Sequence, residues 1–216
     1  MSSFASGPQL FKGALVTVNS TGGGQPSVIL FQYNPERLRR SLQPQSVSGD
    51  SGNRSDTVIY TGAPVETINI DIEIDATDQL EKGDQTTVQM GVYPQLAALE
   101  LLIYPTSADV SKQANLLASG TIEVGPFIAP LTLFLWGQNR VLPVRVMEMT
   151  ISEDAFGGYL NPIRATVSLS LRALSYSDLT QTSQGYSVFM QYQQIKEQIA
   201  AVSHSLQGTG VTLNQL

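Results

Sequence analysis

Between residues 65 and 75 the chain reads VETINIDIEID, in which Ile68, Ile70, Ile72 and Ile74 alternate with Asn69, Asp71, Glu73 and Asp75. A period of two sustained over that length dictates a β-strand with one face in a core and the other polar. β-Branching at each inward position suits a pleated surface. On the polar side, side chains recur about 7 Å apart at every second residue. An extended strand cannot fold oxygen ligands around one point, so this stripe is not a calcium loop. It is expected to be a solvated strand face or the acidic lining of a channel.

Other segments supply neighbours for that strand. Residues 14–18 and 28–33 are short apolar runs separated by 19–25, which contains Gly22, Gly23 and Gly24. That pattern is a hairpin with a long turn. No Gly-Lys-Ser/Thr follows the glycines and no helix pattern opens there, so a phosphate loop does not fit. Asn34, Pro35, Glu36 and Arg37 turn the chain into a strand at 38–43, and the small polar residues of 46–56 form a loop tip. Further strand-like runs lie at 120–124, 131–136, 141–152 and 164–174. In the last of these, Val167, Leu169 and Leu171 alternate with Thr166, Ser168, Ser170 and Arg172. Residues 152–156 read as one short turn between strands, and Gly157, Gly158, Asn161 and Pro162 add turn chemistry.

One internal helix is expected at 90–104, where Val92, Leu96, Leu99 and Ile103 form a stripe at spacings of 4, 3 and 4. Ala97, Ala98, Leu101 and Leu102 extend its apolar surface almost all round. Pro94 suits the first turn and Pro105 stops the helix. So apolar a helix must be sandwiched, against the sheet alone or between the sheet and a neighbouring subunit. A polar connection at 77–88 precedes it, and a weaker helical turn at 108–117 follows. The resulting plan is α+β and mostly β, an antiparallel sheet pair or open barrel with one packed helix. Near the C-terminus Val188, Tyr192, Ile195, Ile199, Val202 and Leu206 recur at spacings of 4, 3, 4, 3 and 4. This heptad stripe belongs to a helix of about five turns. With fewer than three heptads, docking on its own domain and docking on another chain both stay open.

Composition narrows the function. Charged residues are 14% of the 216, against about 25% in soluble domains. One physical reason to lose surface charge is burial against neighbours, since interface cores are depleted in charge. The net charge of −6 opposes binding to nucleic acid by phosphate neutralisation. There is no cysteine, hence no disulfide framework, thiol nucleophile or thiolate metal site. The start, MSSFASGPQLFKG, lacks the basic-then-apolar order of a secretory signal. No run approaches the roughly 18 apolar residues of a membrane span, so assembly in the cytosol without membrane insertion is expected.

No constellation of residues supports catalysis. Glu153 and Asp154 sit in a turn, without the environment that would separate the pKa values of a carboxylate pair. The single histidine, His204, would have to be the base of any serine triad, yet it lies near the end of the last helix. No catalytic residue, cofactor or metal ligand is therefore assigned. Arg37, Arg39 and Arg40 form the only basic cluster, with Arg54 further on, and are expected to pair with acidic groups on a neighbour. Trp136, the sole tryptophan, ends a strand before Gly137 and reads as a packing residue or an aromatic anchor at an interface.

The run Phe31-Gln32-Tyr33-Asn34-Pro35-Glu36-Arg37-Leu38 and the later Trp136-Gly137 with Leu142-Pro143-Val144-Arg145-Val146 resemble the tube-protein family of contractile injection systems, which are phage-tail-like particles. Glu153-Asp154-Ala155-Phe156, Leu160-Asn161-Pro162-Ile163-Arg164-Ala165 and Leu174-Ser175-Tyr176-Ser177-Asp178-Leu179 match that family's approach to its last core strand. The resemblance spans roughly residues 8–180. It implies a tail-tube-like fold of two β-sheets with a flanking helix, assembled as a hexameric ring. Such a ring adapts or initiates the inner tube at the baseplate. A cap-side ring that terminates the tube is the alternative, and a monomeric surface- or carbohydrate-binding module is a further one. Baseplate-side members often continue into a LysM module, but the few residues after 180 are too short for it and spell a helix. The implied partners are the inner-tube protein and baseplate, spike or cap proteins. Asn69, Asp71, Glu73 and Asp75 would line the lumen, while Arg37, Arg39, Arg40, Arg54, Trp136, Tyr192, Ile195 and Ile199 would contact other subunits. The expected division is an arm at 1–12, a tail-tube-like domain at 13–180, a helical extension at 181–207 and a tail at 208–216.

Overall fold

The alternating isoleucines form β4 (Val65–Asp75) in the computed structural model, which describes residues 11–18, 27–46, 59–120, 127 and 129–206, with side chains to 202. β4 pairs antiparallel with β7 (Pro162–Ala173), placing Ile68 opposite Leu171, Ile70 opposite Leu169, Ile72 opposite Val167 and Ile74 opposite Ala165. All eight are buried. Complete burial of a large aliphatic side chain contributes roughly 1.5–3 kcal/mol, so this ladder anchors the fold. On its far side β4 pairs with β3 (Leu38–Gln43).

The sheet continues through β6 (Val141–Phe156), β5 (Leu131–Leu135), β1 (Ala14–Val18) and β2 (Ser27–Leu30), in the order β2-β1-β5-β6-β7-β4-β3. β6 belongs to both halves. Its residues Val141–Val144 pair with β5, while Val144 to Phe156 pair with β7. A bulge between Val146 and Glu148 lies just past the last β5 contact. One continuous open sheet thus replaces two separate ones. It curls far enough for Gln32, just after β2, to bond the end of β4. Its side-chain amide donates to the Asp75 carbonyl at 2.7 Å and accepts from the Asp75 N–H at 2.9 Å. The β1–β2 hairpin pairs as expected, with Leu15 opposite Ile29. Its glycine turn lies outside the described residues, as do residues 1–10, 47–58, 121–126, 128 and 207–216.

Among the described residues five helices accompany the sheet: α1 (Thr77–Glu81), α2 (Gln85–Met90), α3 (Tyr93–Glu100), α4 (Ser107–Ala118) and α5 (Gln184–Leu206). The expected helix at 90–104 is divided. Gly91 adopts φ +59°, and a Cβ there would stand 2.1 Å from the Pro162 carbonyl oxygen. That approach separates α2 from α3, and Val92 N–H donates to the same carbonyl. Val92, Leu96 and Leu99 are buried as the stripe requires, but the helix ends at Glu100, so Leu102 is buried and Ile103 exposed. Leu101 and Tyr104 are exposed too, leaving one side of this apolar segment uncovered in the single chain.

The connection at 77–88 also contains helix, because Asp75 accepts from the Thr77 N–H at 2.7 Å and Asp84 caps α2 by accepting from the Thr87 N–H at 2.9 Å. The turn expected at 152–156 is instead the end of β6, since its partners on β7 extend to Pro162. The weak helical turn at 108–117 is the twelve-residue α4, capped by Thr106. The strand-like run at 120–124 falls almost entirely outside the described residues. At 23 residues α5 makes about six turns rather than five. Its Phe189 and Tyr192 join the core, so the first half of the stripe docks on its own chain.

Candidate assembly surface

The polar counterpart of the isoleucine ladder is a surface built by four strands. Register places Arg39, Asn69, Ser170 and Glu148 in one row, Asp71, Ser168 and Thr150 in the next, and Glu73, Thr166 and Ser152 in the one after. Asn69, Asp71 and Glu73 are exposed, while Asp75 is half-buried. A groove of about 370 Å³ crosses this face between Arg37, Arg39, Asp71, Glu148 and Ser168. Ser168 donates to Asp71 at 2.6 Å. At the end of the face Arg164 pairs with Asp75 at 2.9 Å. The Thr77 hydroxyl, the Thr77 N–H and Arg164 together hold the Asp75 carboxyl below its ordinary pKa. Sequence reasoning identified the β4 stripe but missed its partners Glu148, Thr150, Ser168 and Ser170. The alternation at 166–172 was the available signal for the serines.

The basic cluster divides across the sheet. Arg37 and Arg39 reach the polar groove, whereas Arg40 turns to the apolar face. There it donates to Glu66 at 2.6 Å and to the Tyr192 hydroxyl at 3.3 Å, tying β3, β4 and α5 together. The Glu66 carboxylate raises the Arg40 pKa further, chiefly through their hydrogen bond. Arg40 and Tyr192 are thus engaged within the chain. Glu66 is only 6% exposed. It was overlooked, although its place in the inward phase of the isoleucine pattern marks it as a charge needing a buried partner. Trp136 stacks on Phe134 with ring centroids 5.9 Å apart, and Phe134 contacts Phe31 at 6.5 Å. Ile195 is half-buried and Ile199 is 51% exposed. Arg54 and the side chain of His204 lie outside the described residues.

Four strand margins carry no strand partner among the described residues: the outer sides of β2 and β3, the side of β4 facing away from β7 beyond Ile70, and the side of β6 facing away from β7 beyond Val144. Unpaired N–H and C=O groups along such margins are templates for pairing with another chain. The β6–β7 hairpin tip adds Tyr159 and Leu160, both at least 80% exposed. Among the described residues no group of three or more His, Cys, Asp or Glu converges to hold a metal, and no helix is long and apolar enough to cross a membrane.

No curated protein matches the chain. A solved structure described as the tail of an empty GTA particle, computed with helical refinement and C6 symmetry, aligns with 74% of this chain and 90% of its own. That alignment has 13% identity and a TM-score of 0.29. The profile of a family described as contractile injection system tube protein matches residues 14–182. With so much of its length matched, the chain belongs to the contractile injection system tube proteins and is a tube-like structural subunit of a phage-tail-like particle.

Proposed function

We propose that this chain forms a closed ring that adapts or initiates the inner tube at the baseplate, with sheet completion between neighbouring copies as the joining chemistry. The observation that carries this reading is the four-strand unit β6-β7-β4-β3. It is polar on one face, apolar on the other, and has an unpaired strand side at each end. Joining the outer side of β3 to the free side of β6 in the next copy gives both of these margins a partner.

The family resemblance implies six copies, and their number sets the width of the ring. Six such units give about 24 strands spaced about 4.8 Å apart and tilted by roughly 40°, a backbone cylinder roughly 45–50 Å across. A barrel that wide is an aqueous channel rather than a packed core. The polar face then lines the lumen, with Asn69, Asp71, Glu73 and Asp75 among its residues. Arg37 and Arg39, on the β3 side of that face, are the basic residues nearest the joint. The stretches 1–12, 181–207 and 208–216 serve as arm, extension and tail around a tube domain at 13–180.

Mass photometry and electron microscopy of the chain, expressed with its tube and baseplate partners, test the proposal. Rings of about six copies are expected, and persistent monomers in that company overturn it. A cryo-electron-microscopy map of the intact particle places the ring at the baseplate or at the cap.

A further inference from the structure

The β6–β7 hairpin ends in large apolar side chains that contribute little to the fold of the chain carrying them. Tyr159 and Leu160 are 81% and 80% exposed, and Phe156 beside them is exposed as well. Leu160 also sits at φ +61°, in the left-handed region that disfavours a side chain, and no burial offsets that strain. The hairpin projects past the end of β4. Asp75 opposite Arg164 is the last β4–β7 pair, whereas β6 and β7 stay paired as far as Phe156 and Pro162. The segment after β4 is pinned to the same end. Ala76 N–H donates to the Ile163 carbonyl and Val92 N–H to the Pro162 carbonyl, each at 2.9 Å, and the Asn161 side chain donates to the Gln89 carbonyl. Met90, exposed, flanks these contacts.

Charge at this end is mostly of one sign. Residues 73–84 contribute Glu73, Asp75, Asp78, Glu81 and Asp84 against Lys82. The hairpin contributes Glu153 and Asp154 against Arg164. Of these carboxylates all but Asp75 are exposed, and seven against two cations leaves −5. Among the described residues the opposite ends of the same strands carry Arg145 and Arg172 with Asp178, a net of +1, beside the mutually paired Arg40 and Glu66.

We infer that this end of the strands is the seat of the first ring of the inner tube, and that the tube rim facing it is basic, with an apolar hollow for Tyr159 and Leu160 of each copy. This rests on the ring reading above. Strands tilted by roughly 40° in a closed wall end at its rims, so the hairpins project from one rim of the ring. What meets them there is a wall of matching radius, which the inner tube supplies. Six copies give this rim a charge of about −30, which steers a basic rim into place and sets its register. A second ring of this chain does not match it, because −5 per copy would meet only +1.

The full-length chain is titrated with purified inner-tube protein at about 50 and about 300 mM salt, with ring formation read by mass photometry and tube attachment by electron microscopy. Attachment should weaken several-fold at the higher salt, where exposed charges are screened. Glu81→Lys combined with Glu153→Lys takes the rim from about −30 to about −6. It should leave the rings intact, lower tube affinity at least about tenfold and abolish the salt effect. Leu160→Gly separates docking from a role in the fold: it relieves the positive φ and loses little burial, so the thermal midpoint should hold or rise, while tube affinity falls at least about tenfold. Rings of either variant that take up tube as the parent does overturn the inference and leave the ring reading intact. So do rings that stack on one another without tube protein, or variants that lose baseplate proteins and keep the tube. Absence of any ring, with tube and baseplate partners present, overturns both.

Discussion

Removing Arg40 should destabilise this protein more than removing the carboxylate it pairs with. The guanidinium lies 2.6 Å from Glu66, and the two side chains are 25% and 8% exposed. Arg40→Ala strands a carboxylate in the core. Breaking a fully buried pair costs about 3–5 kcal/mol, and the partial exposure of Arg40 reduces this to about 2–3 kcal/mol. Glu66→Ala leaves a guanidinium on an end strand, where it can turn toward water, at about 1–1.5 kcal/mol. Tyr192→Phe deletes one hydrogen bond to a charged group and should cost about 0.5–1 kcal/mol. The double replacement Arg40→Met with Glu66→Leu removes both charges and should fall within about 1 kcal/mol of the parent, because no charge is left unpaired and only the Tyr192 hydroxyl loses a partner. Urea unfolding followed by far-ultraviolet circular dichroism measures all four. The reasoning fails if Glu66→Ala is costlier than Arg40→Ala, or if the double variant is as unstable as the sum of the single ones.

Three further outcomes are expected. Ile70→Asp, at a position 2% exposed, should lose its native circular dichroism, while its neighbour Asp71→Ala on the polar face should stay within about 0.5 kcal/mol of the parent. Gly91→Ala should lower stability by about 2–3 kcal/mol in thermal melts, since its Cβ would meet the Pro162 carbonyl and its φ of +59° disfavours a side chain. The folded-state pKa of Asp75 is lowered by Thr77 and Arg164, so its contribution is complete above the ordinary carboxylate pKa of about 4 and lost as pH falls through the lower folded value. Asp75→Asn should therefore be less stable than the parent at pH 7, with the gap closing in acid, as read by denaturant midpoints across pH.

The strand-forming half of this architecture was legible in the sequence because period two survives wherever one face is buried. Ile68 to Ile74 and Val167 to Leu171 therefore landed on the core face. Boundaries dictated by contacts between distant segments were not legible. Gly91 breaks a helix-like run because Pro162, some seventy residues away, comes against it. Residues 152–156 read as a turn in isolation, but β7 supplies their partners. At the surface, residue type was a poor guide to direction. Arg39 and Arg40 are adjacent and alike, yet alternation sends one to the polar groove and the other into a network with Glu66 and Tyr192.

The bulge at residue 147 gives β6 one residue more than its partner strand uses. Before it, Leu142, Val144 and Val146 point toward the core; after it, Met149 and Ile151 do, so the parity of the core positions changes along β6 while the β7 ladder runs on unbroken. Met147 absorbs the difference and is itself 55% exposed, so exchanging its side chain should matter little. Deleting it should be tolerated as well, because Val146 would still stand opposite Leu171 and Glu148 opposite Ser170, and each later residue would keep its partner and its side of the sheet. What such a deletion removes is the local bend and added twist that the extra residue imposes. At this single place the strand carries slack.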